Sequence, residues 1–318
     1  MDGTGDEARI AALARLIESD PDAALPEVGT LAPWWQEIGR VEDGRRLTEL
    51  ALQRSGHGAT APRVEALLAA SELAFRQGDQ DVASQRSAEA LEIALAIGKP
   101  HLAALAHVDL ARVAYREADA PAIEKHARAA AGLAGDDQRA RRGALHMLAW
   151  AAHTAGDRGL ARNRFEESLD YRRQIGDPLS IAVEIANLGD LAAEDGDLAE
   201  AADRLRAALE LMRDNDNRYF VVNTLPSVAA VAGLAGVDDA CARLVGAGDA
   251  MAIATGLVPD PGNWSPVIDQ VAARLGQRFE ALRVEGAQLD ATSAVALAIN
   301  TARSIADGAR TGAGDDPG

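Results

Sequence analysis

The sequence predicts an all-α fold in which about six helical hairpins stack into a solenoid that a group of C-terminal helices caps. Three observations lead to this prediction. A turn signal recurs about every 40 residues, small residues recur at fixed distances from it, and aromatic residues make up only 3% of a chain that is 48% hydrophobic. A chain of 318 residues also exceeds the size at which a single core keeps growing.

The recurring turn signal is the pair Gly-Asp or a close variant of it. From the first turn to the last, the steps are 39, 40, 38, 40 and 40 residues, and so constant a period indicates a repeated unit. The six turns are Gly39-Arg40, Gly78-Asp79, Ala118-Asp119, Gly156-Asp157, Gly196-Asp197 and Gly236-Val237.

Small residues occupy equivalent positions on both sides of this turn. Because small side chains at fixed places on two neighbouring helices let the backbones approach, they predict a close crossing within each hairpin. The position seven residues before the turn holds Ser71, Ala111, Ala149, Gly189 and Ala229, and the position five residues after it holds Ala83, Ile123, Ala161, Ala201 and Cys241.

Further turn residues lie between successive units, at 98–100 (GKP), 135–137 (GDD), 176–178 (GDP) and 215–217 (NDN). Glycine commonly ends a helix and proline commonly begins one, so each unit is predicted to be helix, turn, helix and loop. One such hairpin cannot bury its apolar face alone, whereas stacked hairpins bury one another's faces.

The repeat resembles a tetratricopeptide repeat in a 40-residue form. The segments 186–211 (ANLGDLAAEDGDLAEAADRLRAALEL) and 156–178 (GDRGLARNRFEESLDYRRQIGDP) are especially similar to it. Together with 31–52 (LAPWWQEIGRVEDGRRLTELAL) and the closing segment 250–299, which contains an EGxxL turn, they resemble the repeat regions of large bacterial regulators. These regulators are the maltose-regulator-like, LuxR-type and antibiotic-regulatory signal-transduction ATPases that are most common in actinobacteria. The resemblance implies a right-handed superhelical solenoid of tetratricopeptide-like hairpins.

The resemblance also implies how the chain is divided. We expect a flexible N-terminus over 1–7, tetratricopeptide-like repeats over 8–250, capping helices over 251–306 and a disordered tail over 307–318. Within the capping segment, Ser265 and Asp290 are expected to cap helix N-termini. The apolar residues expected to cover the end of the stack are Val267, Val271, Leu275, Phe279 and Leu282.

The charge of the chain excludes several classes of partner. With 49 acidic and 32 basic residues, its formal net charge is −17, which argues against direct nucleic-acid binding and against an anionic membrane. The N-terminus lacks the features of a signal peptide, so a soluble cytoplasmic protein is expected. No phosphate-binding G-x-x-x-x-G-K-[ST] loop occurs, and whether the chain is an excised sensor region or a stand-alone relative stays open.

No motif for catalysis, a cofactor or a metal site is present, so we expect neither an enzyme nor a metalloprotein. His146 and His153 lie two helical turns apart but lack an evident third ligand. The stretch 214–220 begins like a calcium loop but fails at the turn glycine. Cys241 is expected to be a buried, inert thiol, and Pro226 is expected to kink or delay a helix as either a hinge or a mark of an atypical last repeat.

The strongest candidate site is a concave groove lined by first-helix residues, at the positions that line this surface in tetratricopeptide stacks. It gathers several of the few aromatic residues with arginines and histidines. The alternative is ordinary filling between helices, with the arginines paired to Glu65, Glu72, Asp190 and Glu194. The predicted groove residues are Glu72, Phe75, Arg76, Arg112, Tyr115, Arg116, His146, Trp150, His153, Asp190 and Asn223.

The function expected from this pattern is that of a non-enzymatic sensor in a bacterial transcriptional or signalling regulator. It would bind a protein, a peptide or a small-molecule effector with an anionic group, because an arginine fork can hold a carboxylate or phosphate with two bonds. The alternative is a scaffold for protein assembly or self-association, with a homo-oligomer possible.

Overall fold

The computed structural model describes residues 3–215, 218–260 and 264–312. Most residues in these ranges are helical and no strand occurs in them, so the predicted all-α helical repeat is confirmed. The chain divides after Asp157 into two compact units. Among the described residues, no helix is both long and apolar enough to cross a membrane.

The first unit contains nine helices within its described residues. They are α1 (Gly3–Ser19), α2 (Pro21–Thr30), α3 (Ala32–Glu37), α4 (Val41–Arg54), α5 (Ala61–Arg76), α6 (Gln80–Ala96), α7 (Pro100–Arg116), α8 (Ala120–Leu133) and α9 (Gln138–Thr154).

The second unit contains eight helices in the part of it that the structure describes. They are α10 (Arg158–Ile175), α11 (Pro178–Glu194), α12 (Leu198–Asp214), α13 (Arg218–Leu234), α14 (Asp238–Thr255), α15 (Ser265–Leu275), α16 (Gln277–Ala287) and α17 (Ala291–Gly312).

Each of the six predicted turns separates two helices, and the Gly-Asp pair explains how. Gly196 has a φ of +84°, the left-handed conformation that ends a helix and that glycine adopts without steric cost. The next residue, Asp197, caps the following helix, because its Oδ1 accepts a hydrogen bond of 2.9 Å from the Glu200 amide. Asp79 and Asp119 cap α6 and α8 in the same way.

The predicted small-residue positions are buried at the crossings within the hairpins. In the α5–α6 hairpin, Ser71 and Ala83 are almost fully buried, and the Ser71 hydroxyl donates to the Ala83 carbonyl oxygen at 2.9 Å. In the α11–α12 hairpin, a Cβ on Gly189 would lie 3.0 Å from Leu205 Cγ, which is tighter than ordinary contact. Close crossings within these hairpins therefore depend on small side chains, as the sequence predicts.

The described part of the C-terminal segment forms three helices after α14. Asp290 caps α17 as expected, with its Oδ1 2.7 Å from the Ser293 amide nitrogen. The prediction for Ser265 is wrong, because this residue is already the first of α15 and Trp264 occupies the N-cap position without a side-chain bond.

All three C-terminal helices pack against earlier helices of the second unit. Of the residues expected to do so, Val271 and Leu282 are buried, whereas Val267, Leu275 and Phe279 are half-buried. In contrast, α17 packs along α12, α13 and α14, and it buries Ala294, Val295, Ala298, Ile299, Ala302 and Ile305.

The two chain ends are more helical than expected where they are described. The first helix begins at Gly3, inside the segment expected to be flexible, and an ion pair of 2.6 Å joins Glu7 to Arg40 before α4. At the other end, α17 continues to Gly312, into the predicted tail, and residues 313–318 lie outside the described residues. Part of the predicted loop at 215–217 lies outside them too.

Two single-residue expectations concern the second unit. Cys241 is buried, and burial raises the pKa of its thiol to about 12. The thiol therefore stays protonated, and only the deprotonated thiolate is nucleophilic. Pro226 lies inside α13, which runs from Arg218 to Leu234 as one helix.

Candidate binding surface

Nine of the eleven predicted groove residues lie in the first unit, on three first helices of consecutive hairpins. Helix α7 packs against both α5 and α9, so equivalent positions on the three helices become neighbours. We call these nine residues the α5–α7–α9 surface. They are Glu72, Phe75 and Arg76 on α5, Arg112, Tyr115 and Arg116 on α7, and His146, Trp150 and His153 on α9.

The aromatic part of this surface is one contiguous cluster. The rings of Tyr115 and Trp150 are tilted against each other with centroids 4.5 Å apart. The His153 ring packs edge-on against Trp150 at 5.1 Å, and the Trp150 indole N–H donates to His146 Nε2 at 3.1 Å. All four side chains are half-buried, so part of the cluster is accessible to solvent.

Two arginines contact the aromatic ring of Phe75. The guanidinium carbon of Arg116 lies 4.2 Å from the ring centroid, and that of Arg76 lies 5.3 Å from it. Both distances are within the range of cation–π attraction. Since Phe75 is buried, its ring forms a platform that holds these guanidinium groups between α5 and α7.

Glu72 forms the acidic centre of the surface. Its Oε1 accepts a hydrogen bond of 3.0 Å from Gln36 of α3. Guanidinium nitrogens of Arg76 and Arg139 lie 3.9 and 3.7 Å from its carboxylate oxygens. Arg76 therefore pairs with an acidic neighbour, as the ion-pairing alternative proposed.

A second carboxylate, Asp109, lies on α7 beside the first. Its Oδ1 accepts a hydrogen bond of 3.0 Å from Arg112 Nη1. Asp109 and Glu72 are 9% and 13% exposed, whereas their partners Arg112 and Arg139 are 29% and 52% exposed. The carboxylates thus lie beneath the guanidinium groups.

The two carboxyl groups titrate differently. Burial alone would raise the pKa of Glu72, but the guanidinium groups of Arg112, Arg76 and Arg139 outweigh it and lower the pKa to about 2. For Asp109, burial dominates and raises the pKa to about 6, with the negative charge of Glu72 adding to the rise and Arg112 opposing it.

Sequence reasoning missed Gln36, Asp109 and Arg139, although all three hold or face the central carboxylate. Asp109 and Arg139 occupy no first-helix position that the repeat pattern assigns to the concave face, whereas Gln36 lies three residues before Gly39, the same position that Phe75 and Tyr115 occupy before their turns. A signal was available for Asp109 too, because it is an acidic residue within 102–111, a run that is apolar apart from it and His107. A charge at a position facing the core requires a partner.

The other two predicted residues belong to the second unit. Asp190 is half-buried on α11. Asn223 lies on α13, where its Oδ1 accepts a hydrogen bond of 3.0 Å from the Asp260 amide and so holds the segment that follows α14. Asn223 therefore has a structural contact that the sequence did not indicate.

Comparison with known proteins bears on the fold. No family model and no curated protein matches the chain. Among solved structures, a Rap protein complexed with Competence and Sporulation Factor is 15% identical and covers 96% of this chain and 98% of its own, with a TM-score of 0.56. The fold is a tetratricopeptide-like helical repeat. The TPR-like repeats of a protein assigned as kinesin light chain of Podosopora anserina, 14% identical, cover 60% of this chain and 95% of their own with a TM-score of 0.44.

Within the tetratricopeptide-like repeat of the first unit, the surface offers charged groups and aromatic rings to a partner. No group of three or more His, Cys, Asp and Glu side chains in the described part of the chain is placed to hold a metal ion. Four guanidinium groups, those of Arg76, Arg112, Arg116 and Arg139, gather around the carboxylates of Glu72 and Asp109 and the ring of Phe75.

Proposed function

We propose that the chain is a non-enzymatic sensor or protein-interaction module that binds its partner on the α5–α7–α9 surface. The partner is a peptide, a protein segment or a small effector in which an anionic group stands beside an apolar one. The single observation that carries this proposal is the contact of Arg116 with Phe75 next to the Tyr115–Trp150 pair, which places cations and aromatic faces side by side.

The charge distribution supports an anionic partner. The protein carries a net charge of −17, yet several guanidinium groups gather at this surface. Arg112 and Arg139 lie on the solvent side of the cluster, where a planar guanidinium can still hold a carboxylate or phosphate. Arginines gathered at one place in an acidic protein can direct anionic ligands there.

The aromatic cluster supports an apolar group next to the anion. The half-buried rings of Tyr115 and Trp150 would gain contact area when covered, and large rigid aromatic residues commonly supply most of the binding energy at protein interfaces. The Rap protein of the same fold was solved as a complex with Competence and Sporulation Factor, which supports a binding role for this architecture. Following the resemblance of the repeats, we place the module in a bacterial transcriptional or signalling regulator.

The test compares variants of this surface. Aromatic carboxylates and short acidic peptides with aromatic residues would be screened by thermal shift, and the best binder measured by calorimetry. We expect Arg112→Ala and Trp150→Ala each to weaken binding by more than about 1 kcal/mol with unchanged circular dichroism. The control is Arg128→Ala on α8, an exposed arginine paired with Glu124, which should bind normally. Equal affinity of all three variants for the ligand would show that the ligand binds outside this surface.

A second candidate function is self-association through the second unit. Ile253 on α14 is 83% exposed, and Val258, which follows the end of that helix, is also exposed. Large apolar side chains in water favour association when several lie together. If the scaffold alternative holds, sedimentation should show an oligomer that Ile253→Asp dissociates, whereas a monomer at all concentrations would remove this candidate.

A further inference from the structure

Asp109 is buried beside the proposed binding surface, and it faces charged groups on three helices. From α5 it faces Glu72 and Arg76, from its own helix Arg112, and from α9 Arg139. The direct contact is the hydrogen bond from Arg112. Asp109 thus uses a hydrogen-bond donor of Arg112, which we propose binds the partner.

The layering of this cluster makes Asp109 sensitive to an incoming anion. Arg112 and Arg139 are more exposed than the carboxylates beneath them, so an anion that reaches either guanidinium also comes near Asp109 and Glu72. Three negative groups would then share the same guanidinium groups. Like charges in a partly desolvated site make the ionised form of each carboxyl group less favourable. Uptake of a proton by one of the carboxylates removes this repulsion.

We infer that Asp109 determines how strongly this surface holds anions, because its carboxylate competes for Arg112 and binds a proton more readily when an anionic group is present. The inference rests on the proposed function and adds an internal competitor to it. Neutral Asp109 leaves Arg112 free to bond the ligand, and ionised Asp109 opposes the ligand's charge. Anions are therefore held more tightly as the pH falls.

The identity of the proton acceptor follows from the two carboxyl environments. Glu72 has three guanidinium neighbours and a Gln36 hydrogen bond, and with a pKa of about 2 it stays ionised at neutral pH. Asp109, with a pKa of about 6, is the group that a modest additional negative charge converts to its neutral form. Anion binding to the guanidinium groups and proton binding to Asp109 are therefore linked, so that each strengthens the other.

The probe for the test is phenylacetate, which carries one carboxylate beside one ring and stays ionised between about pH 5.5 and pH 8. Its affinity would be measured by calorimetry at both ends of this range. For the wild type we expect affinity to rise about tenfold as the pH falls, which is the effect of shifting one pKa by about one unit. Asp109→Asn should bind about tenfold more tightly than the wild type at pH 8 and show no pH dependence.

The control variant is Asp81→Asn on the exposed part of α6, which changes the net charge equally and should behave as the wild type. If Asp109→Asn binds phenylacetate no more tightly at pH 8, keeps the pH dependence, or fails to bind it, the inference is wrong. Should that variant fail to fold, wild-type calorimetry at about pH 6.5 in two buffers of different ionisation enthalpy decides, because this pH lies between the pKa of free Asp109 and the pKa expected with the anion bound. Binding without proton uptake at this pH overturns the inference.

The same data separate this inference from the function on which it rests. Loss of phenylacetate binding in Arg112→Ala without any gain in Asp109→Asn would leave the binding surface standing and remove Asp109 as its competitor. Undiminished binding in Arg112→Ala would remove the surface itself.

Discussion

Gly246 on α14 and Gly286 on α16 each face the backbone of the other's helix, and neither position has room for a side chain. A Cβ on Gly246 would overlap the carbonyl group of Arg283, and a Cβ on Gly286 would overlap that of Arg243. The two arginines, each three residues before a glycine, form ion pairs across the crossing at 3.0 Å, Arg243 with Glu285 and Arg283 with Asp249. This reciprocal contact gives the glycine of the EGxxL turn a physical role.

The first prediction concerns this crossing. Gly246→Ala should lower the free energy of unfolding by about 3 kcal/mol, because the added carbon meets rigid backbone and the helices must separate. Gly132→Ala is the matched control, since a Cβ on this helical glycine of α8 would have no neighbouring atom within 4 Å and alanine is the better helix former. Urea denaturation measures both, and a normal midpoint for Gly246→Ala would contradict the close contact.

The second prediction concerns the one residue other than glycine with a positive φ in the described part of the chain. Ala118 has a φ of +55° at the position that glycine occupies in the equivalent turns. The left-handed conformation costs an alanine about 1–2 kcal/mol, partly offset by the greater freedom of glycine in the unfolded chain. Ala118→Gly should therefore stabilise the protein by about 1 kcal/mol, and a lower melting temperature would contradict this expectation.

The third prediction concerns a buried ion pair between α10 and α11. Arg172 Nη2 lies 2.6 Å from Glu184 Oε1, and Ser168 and Asn187 donate further hydrogen bonds to the same carboxylate. Glu184→Leu should destabilise by about 3–5 kcal/mol, because it leaves the buried charge of Arg172 without its carboxylate.

The double variant Arg172→Met with Glu184→Leu should recover most of that loss, since two apolar side chains replace two desolvated charges. Asp170→Ala, which removes an exposed partner of Arg173, should change stability by no more than about 0.5 kcal/mol. A double variant as unstable as Glu184→Leu would show that packing, and not the unpaired charge, causes the loss.

The fourth prediction concerns the pH dependence of the α7–α8 hairpin. His107 and His126 approach with their Nδ1 atoms 2.9 Å apart, a contact that requires one ring nitrogen to accept. Burial lowers the pKa of both histidines, and the positive charges of His126 and Lys125 lower the pKa of His107 further. Because the unfolded histidines bind protons more readily, this stability is complete above about pH 6.5 and is lost as the pH falls.

The pair is isolated by comparison with His126→Gln. Asp109 acts in the opposite direction, since its raised pKa means that stability is gained as the pH falls through about 6, but this contribution is common to both proteins. Between about pH 7 and pH 5 the wild type should therefore lose more stability than His126→Gln. His57→Gln, at an exposed position before α5, should follow the wild type, and parallel curves for all three proteins would exclude the pair as the cause.

How much of the binding surface was predictable follows from how each residue is positioned. The repeat period places Phe75 and Tyr115 three residues before their turns and Trp150 six residues before its turn. The structure brings their helices together as expected. Asp109 was not predicted, because repeat positions say which helix face a residue occupies and not which charge from a neighbouring hairpin meets it. Asn223 shows the reverse case, since its position follows the pattern while its hydrogen bond to Asp260 depends on where a later loop returns.

The sequence by itself determined the hairpins, their period and their boundaries, because these depend on interactions between residues close in the chain. A left-handed glycine ends a helix, an aspartate one residue later caps the next, and small residues mark the crossing within each hairpin. Only the tertiary structure decided the pairing of Arg172 with Glu184, the packing of Gly246 and Gly286 against each other's helix, and the approach of the carboxylates of Asp109 and Glu72. These depend on the angle and register at which separate helices meet, where a shift of one residue changes every partner and where the balance of desolvation against pairing decides the charge that each group carries.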